Sequence, residues 1–267
     1  MSYCFLVNLA GAQKLFNDEY PVDSGYYSSF DGTKIYYEVR GEGKPVVLVH
    51  GFIVNSNSWK GAALYNDLLK DGYKVIILDM RGNGKSGKPH DATSYANDAE
   101  SKDIIGLMNF LKIKKYSVVG YSRGSIIVSR LLLLDNRIEE AVIGGMGTAF
   151  TNPEWPRRLM FYHALASDTV PELKNVVQYV KQQGLDQLAL AYLQKEQPST
   201  SIEELKSIKQ PVLVICGDQD DDRDAAKDLS NIFLNSSFTT APGDHNHAAS
   251  TPEFSKAVIG FFKKNNY

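Results

Sequence analysis

Apolar residues along the chain alternate between two spacings. Short, nearly continuous apolar runs occur at "KIYYEVR" (34–40), "PVVLVH" (45–50), "YKVIILD" (73–79), "YSVVGY" (116–121), "AVIGG" (141–145) and "PVLVIC" (211–216). Runs this short and this apolar suit strands buried on both faces, as in a parallel sheet. Helical patterns lie between them. Ile104, Leu107, Met108 and Leu111 form one helical stripe, and 125–134 ("SIIVSRLLLL") is apolar nearly all round, as expected of a helix at the centre of a fold. A last helix is predicted from about Pro252, with Phe254, Ala257, Val258, Phe261 and Phe262 on one face. The alternation predicts an α/β fold: a mostly parallel central sheet flanked by helices.

One stretch breaks the alternation. Residues 152–208 hold no convincing strand and are rich in helix formers and aromatics, among them Trp155, Phe161, Tyr162, Tyr179 and Tyr192. They predict a small helical insertion between two strands. The expected organisation is an N-terminal arm or helix over 1–20, a core over 21–151 and 209–267, and the insertion over 152–208. In the arm, Phe5 or Leu6, Leu9 and Phe16 could share a helical face. A cleaved secretory signal needs a positive segment ahead of its apolar patch, but the first basic residue is Lys14, downstream of it.

Composition narrows the function. The 267 residues are 43% hydrophobic, enough for a sizeable core. A formal net charge of -2 leaves no basic field for a phosphate backbone, so nucleic acid is not an expected partner. No run approaches the roughly 18 apolar residues of a membrane span, so no membrane association is expected. The two cysteines, Cys4 and Cys216, are too few and too scattered for a disulfide framework or a metal site. A cytoplasmic small-molecule enzyme fits this composition, which says nothing about oligomeric state.

The central chemical signal is "VVGYSRGS" (118–125), a G-x-S-x-G pattern made by Gly120, Ser122 and Gly124. A serine on a sharp strand-to-helix turn sits in strained backbone and points out of the sheet edge. Residues two positions to either side crowd neighbouring backbone, where glycine fits. The amides opening the following helix face the site, where negative charge develops during acyl transfer. A surface loop could carry the same five residues by chance, but here a buried strand precedes the motif and an apolar helix follows.

With that motif, the chain resembles the α/β-hydrolase superfamily, in its lidded, single-domain, esterase-like branch. Further stretches match in order: "VVLVHGF" (46–52), "VIILDMRGNGKSGKP" (75–89), "PVLVICGDQD" (211–220) and "PGDHNHAASTPEF" (242–254). The resemblance implies a serine nucleophile at Ser122, an imidazole base and an acid, in the chain order Ser, acid, His. Of His50, His90, His163, His245 and His247, only the last two lie far enough downstream. His245 follows the "PGD" turn, seven positions before Pro252, and takes the base position, with His247 its neighbour. The G-x-x-D placement selects Asp220 as the acid, with Asp218 the alternative. The backbone N–H groups of Phe52 and Arg123 would form the oxyanion hole. Trp155, Phe161, Tyr162 and Tyr192 are the candidate substrate-binding group on the insertion.

The same motifs bear on other chemistries. A serine at this position argues against haloalkane dehalogenase and epoxide hydrolase relatives, which use Asp there. Thioesterase, acyltransferase, perhydrolase and carbon–carbon hydrolase reactions reuse the same three groups and stay open, as does a ligand receptor with slow or no turnover. No metal or cofactor is called for. Read as an EF-hand, "DQDDDRD" would need Gly sixth and Glu twelfth, where Arg223 and Leu229 stand. His245 and His247 have no third zinc ligand at useful spacing, and Asp79 stands where a Walker loop needs its first Gly. Arg123 follows the nucleophile where many relatives carry an apolar residue. It reads as an internal ion pair, with Asp79 or an acid after Gly217, or as a contact for an anionic substrate.

Overall fold

The computed structural model describes residues 20–167 and 169–265; the expected N-terminal arm lies outside them apart from Tyr20. In chain order the elements are β1 (Asp23–Ser28), β2 (Lys34–Arg40), β3 (Pro45–Val49), α1 (Asn57–Lys60), α2 (Ala63–Lys70), β4 (Lys74–Leu78), α3 (Ala99–Phe110), β5 (Tyr116–Tyr121), α4 (Arg123–Leu134) and β6 (Ile138–Gly144). They continue with α5 (Pro156–Ser167), α6 (Lys174–Gln182), α7 (Gln187–Lys195), α8 (Ile202–Ser207), β7 (Val212–Gly217), α9 (Arg223–Ser230), β8 (Ser236–Ala241) and α10 (Pro252–Asn265).

The eight strands form one sheet in the order β1-β2-β4-β3-β5-β6-β7-β8. The first two pairings are antiparallel and the remaining five parallel. Strand residues alternate between two cores, one on each face. Val47, Val49, Val118, Val212 and Val214 point into one, and Val46, Leu48, Val119, Leu213 and Ile215 into the other. That double burial explains why these strands read as continuous apolar runs. α4 lies against the first core through Ile126, Ile127, Val128 and Leu131. α10 closes the second with Phe254, Val258 and Phe262, all fully buried, each worth about 1.5–3 kcal/mol of transfer free energy.

The segment between β6 and β7 carries α5 to α8 and, among the described residues, no strand. Its helices share a third apolar cluster, including Leu165, Val177, Val180, Leu190 and Leu193, which reaches the main body at Tyr95, Phe52 and Ile53. The segment is also tied down by polar contacts: His90 with Asp186 at 2.8 Å, and Arg130 with Glu204 at 2.9 Å. No helix among the described residues is long and apolar enough to cross a membrane.

Candidate active site

Each parallel strand delivers its residue at the same sheet edge, the C-terminal one, where open α/β sheets bind their ligands. β5 runs directly into Ser122, which has φ 53° and ψ −124° and opens α4. That positive φ is strained for a residue with a side chain. The turn holds because its flanking positions have no Cβ. At Gly120 a Cβ would lie 2.5 Å from the carbonyl oxygen of Gly124, and at Gly124 2.3 Å from that of Val49. Ser125 pins the turn to β6 by donating to the Gly144 carbonyl at 2.8 Å and accepting from its N–H at 2.9 Å.

A serine preceding a helix ordinarily turns its hydroxyl back to cap an amide. Ser122 makes no such bond; its Oγ lies 3.0 Å from His245 Nε2. His245 Nδ1 lies 3.0 Å from Asp220 Oδ2. Since that carboxylate accepts, Nδ1 carries the hydrogen and Nε2 is free to take the Ser122 proton. Asp220 is buried and also accepts from the Asp222 N–H at 3.0 Å. The histidine loop is anchored by Tyr121, whose hydroxyl donates to the His245 carbonyl at 2.7 Å. Burial pushes the Tyr121 phenol up, so it remains a donor.

The runners-up have other partners. Asp218 accepts from the Gly243 N–H at 2.9 Å, shaping the same loop from outside. His247 is exposed and bonds Asp244 at 2.6 Å. His50 is buried: its Nδ1–H donates to the Gly51 carbonyl at 2.8 Å while Nε2 accepts from the Met80 N–H at 3.0 Å. Burial holds its pKa below the ordinary imidazole value. Burial pushes the Cys216 thiol up to about 11, which leaves it a poor nucleophile. In "DMRGNGKSG" the polar groups are used internally. Asp79 accepts from the N–H groups of Ser56 at 2.9 Å and Lys85 at 2.7 Å, and Arg81 grips Asp103 at 2.7 and 2.6 Å.

Two clefts meet at Ser122. One, of about 250 Å³, runs past Gly51, Ser58, Trp59 and Ala249; the other, of about 270 Å³, runs under the α5–α8 segment. Both are bordered by Phe52, Ser122 and His245. The Phe52 and Arg123 positions expected to supply oxyanion amides therefore flank the nucleophile. A Cβ on Gly51 would lie 3.3 Å from that of Ser122, so the chain passes close. The amide of Arg123, the first of α4, has no carbonyl partner within the helix, whereas that of Ser125 donates to the Ser122 carbonyl at 2.9 Å.

The four insertion aromatics divide. Trp155 and Phe161 line the second cleft, and Phe161 meets Phe52 edge-on at 5.8 Å. Tyr162 and Tyr192 line neither cleft. Tyr162 packs into the segment's own apolar cluster, and Tyr192 packs there against Tyr95 at 6.0 Å. Consecutive helical residues point about 100° apart, and here Phe161 takes the cleft side while Tyr162 turns away from it into the cluster.

Arg123 is an ion pair, but with neither Asp79 nor an acid after Gly217. Its guanidinium donates to Glu100 at 2.7 and 2.5 Å and to the Leu193 carbonyl at 3.0 Å. Glu100 falls on the Ile104–Leu107 stripe of α3, four and seven residues ahead of them. A charged residue on an apolar stripe signals a buried partner elsewhere.

A parallel sheet, a strained serine at its edge, and an imidazole between that serine and a carboxylate define a hydrolase-like fold and site. The family model described as alpha/beta hydrolase fold matches residues 44–180, more than half of the chain. The chain belongs to that family. A non-heme haloperoxidase of Rhodococcus erythropolis is 29% identical over 73% of this chain and 81% of its own length. A Synechocystis sp. protein with a provisional non-heme chloroperoxidase name is 40% identical over 111 residues, which is 41% of this chain and only 39% of that relative. An epoxide hydrolase of Caballeronia sordidicola is 33% identical over 114 residues, which is 41% of this chain and 34% of that relative. An esterase from Exiguobacterium antarcticum superposes with a TM-score of 0.74 over 90% of this chain and 100% of its own, at 21% identity, a likeness of fold alone.

Proposed function

We propose that the protein is a cytoplasmic serine hydrolase that cleaves an ester or related acyl bond of a small molecule through an acyl-serine intermediate. The observation that carries this reading is the hydrogen-bond relay from Asp220 through His245 to Ser122, 3.0 Å at each step. Ser122 Oγ attacks the carbonyl carbon as His245 Nε2 takes its proton. The Phe52 and Arg123 amides receive the oxyanion. His245 then returns the proton to the leaving group, and water releases the acyl group by the reverse proton route. The helical segment over 152–208 serves as a lid that excludes water and sets pocket size through Trp155 and Phe161.

Ser122→Ala should fold normally and lose at least about a thousandfold in kcat on a p-nitrophenyl ester, along with labelling by a fluorophosphonate. Wild-type activity persisting in this variant would end the proposal. Absence of steady turnover in the wild type would leave a ligand receptor instead.

The match to the Rhodococcus erythropolis haloperoxidase favours one second reading. Hydrogen peroxide replacing water as the attacking group on the acyl-serine would yield a peroxy acid and free serine. Peroxy-acid formation from acetate and hydrogen peroxide, abolished by Ser122→Ala, distinguishes it from hydrolysis alone.

A further inference from the structure

The two clefts that meet at Ser122 differ in charge. Among its lining residues the first has no Lys, Arg, Asp or Glu. The second has Arg123, Arg157, Arg158 and Asp222. The charge of Arg123 is matched by Glu100. Among the described residues Arg158 donates to the carbonyl oxygens of Pro153, Gln194 and Lys195 and to no carboxylate; these fix its guanidinium without cancelling its charge. Arg157 is exposed and has no hydrogen bond or ion pair among the described residues. Asp222 supplies one opposing carboxylate, so two guanidinium charges face one acid across a half-enclosed cleft, whose low-dielectric walls concentrate the field. Gln194 and Gln197 add amides to the same wall.

We propose that this second cleft receives a carboxylate carried by the substrate, and that Arg157 binds it. The inference rests on the acyl-serine reading and names the substrate class: an acyl compound with an anionic group on the side of the scissile bond that lies beneath α5. A planar guanidinium matches a carboxylate through two parallel N–H···O bonds. Arg157 has all its donors available for such a bond, whereas three of the five N–H donors of Arg158 already serve main-chain carbonyls. Trp155 and Phe161 would flank the connecting carbons.

The test compares monomethyl and dimethyl esters of succinic, glutaric and adipic acids. Wild type should prefer the best-fitting monomethyl ester over its dimethyl counterpart by about tenfold in kcat/KM, mainly through KM. Arg157→Gln should bring that ratio down by about twofold to fivefold, and Arg157→Glu should lower it further. A wild-type ratio near one, or a ratio untouched by Arg157→Gln, overturns the proposal while leaving the hydrolase reading intact. If neither ester is turned over, the hydrolase reading fails first. Calorimetric binding of glutarate then decides: binding weakened by Arg157→Gln supports the cleft assignment, and equal binding in both proteins overturns it.

Discussion

Arg123→Met isolates the buried pair behind the nucleophile. The side chains of Arg123 and Glu100 are 8% and 4% exposed, and their closest approach is 2.5 Å. Removing the guanidinium leaves the Glu100 carboxylate buried with no cation, and leaves the Leu193 carbonyl without its 3.0 Å donor. An exposed ion pair is worth about 0–1 kcal/mol. Breaking a buried one by deleting a single partner costs about 3–5 kcal/mol, because the remaining charge has lost both water and its counterion. At about 2–4 °C per kcal/mol for a chain of this size, the melting temperature should fall by roughly 6–20 °C. Replacing both residues, Arg123→Met with Glu100→Met, removes both charges together and should recover most of the loss. The interaction free energy from the double-mutant cycle should then be about 2 kcal/mol or more. Thermal and urea unfolding followed by circular dichroism supply these numbers, with neutral and anionic ester kinetics run in parallel. A single variant within about 1 kcal/mol of wild type, or strict additivity in the cycle, refutes the structural role. A selective rise in KM for anionic esters without loss of stability would make Arg123 a substrate contact instead.

Three further outcomes follow from the same geometry. His245→Ala should lower kcat far more than His247→Ala, and Asp220→Asn more than Asp218→Asn; an inverted ranking within either pair, read by steady-state kinetics, reassigns that role. His50 accepts an N–H on Nε2 and so must stay neutral when folded, whereas the unfolded chain protonates it below about pH 6.5. Because the folded pKa is lowered, the unfolded state binds the extra proton, so stability should fall as pH drops below that value and be independent of this group above it. Urea midpoints between pH 7.5 and 5 should show a shallower slope in His50→Gln, and an unchanged slope refutes the assignment. In an ester series of increasing acyl length, wild type should favour short acyl groups, and Phe161→Ala and Trp155→Ala should shift the profile while Tyr192→Ala mainly lowers stability. A wild-type preference for long chains, or identical profiles in all variants, removes the insertion as the specificity element.

The parts of the molecule legible in the sequence are those whose physics is local. Runs such as 45–50 and 211–216 announced strands because both their faces are buried. β1 and β8 did not, because they are the sheet's edges: "DSGYYS" and "SSFTTA" have mostly exposed or half-buried positions and no apolar run. The turn at Ser122 was legible because steric exclusion at Gly120 and Gly124 writes itself into five consecutive residues. Which insertion aromatics face the cleft was not legible, because α5 carries Phe161 and Tyr162 side by side and only packing distinguishes them. The charge pairings fall between these cases. Glu100 and Asp103 lie three residues apart on the buried face of α3, and two acids on an apolar stripe need buried hydrogen-bonding partners. The chain supplies them at Arg81, in the turn after β4, and at Arg123, beside the nucleophile. The need for such partners could be read from the periodicity of α3 alone; which acid meets which arginine depends on how the turn after β4 and the start of α4 converge on one helix. That convergence makes α3 the common support for Arg81 and Arg123, so a change at either acid should be felt at the sheet edge where Ser122 sits.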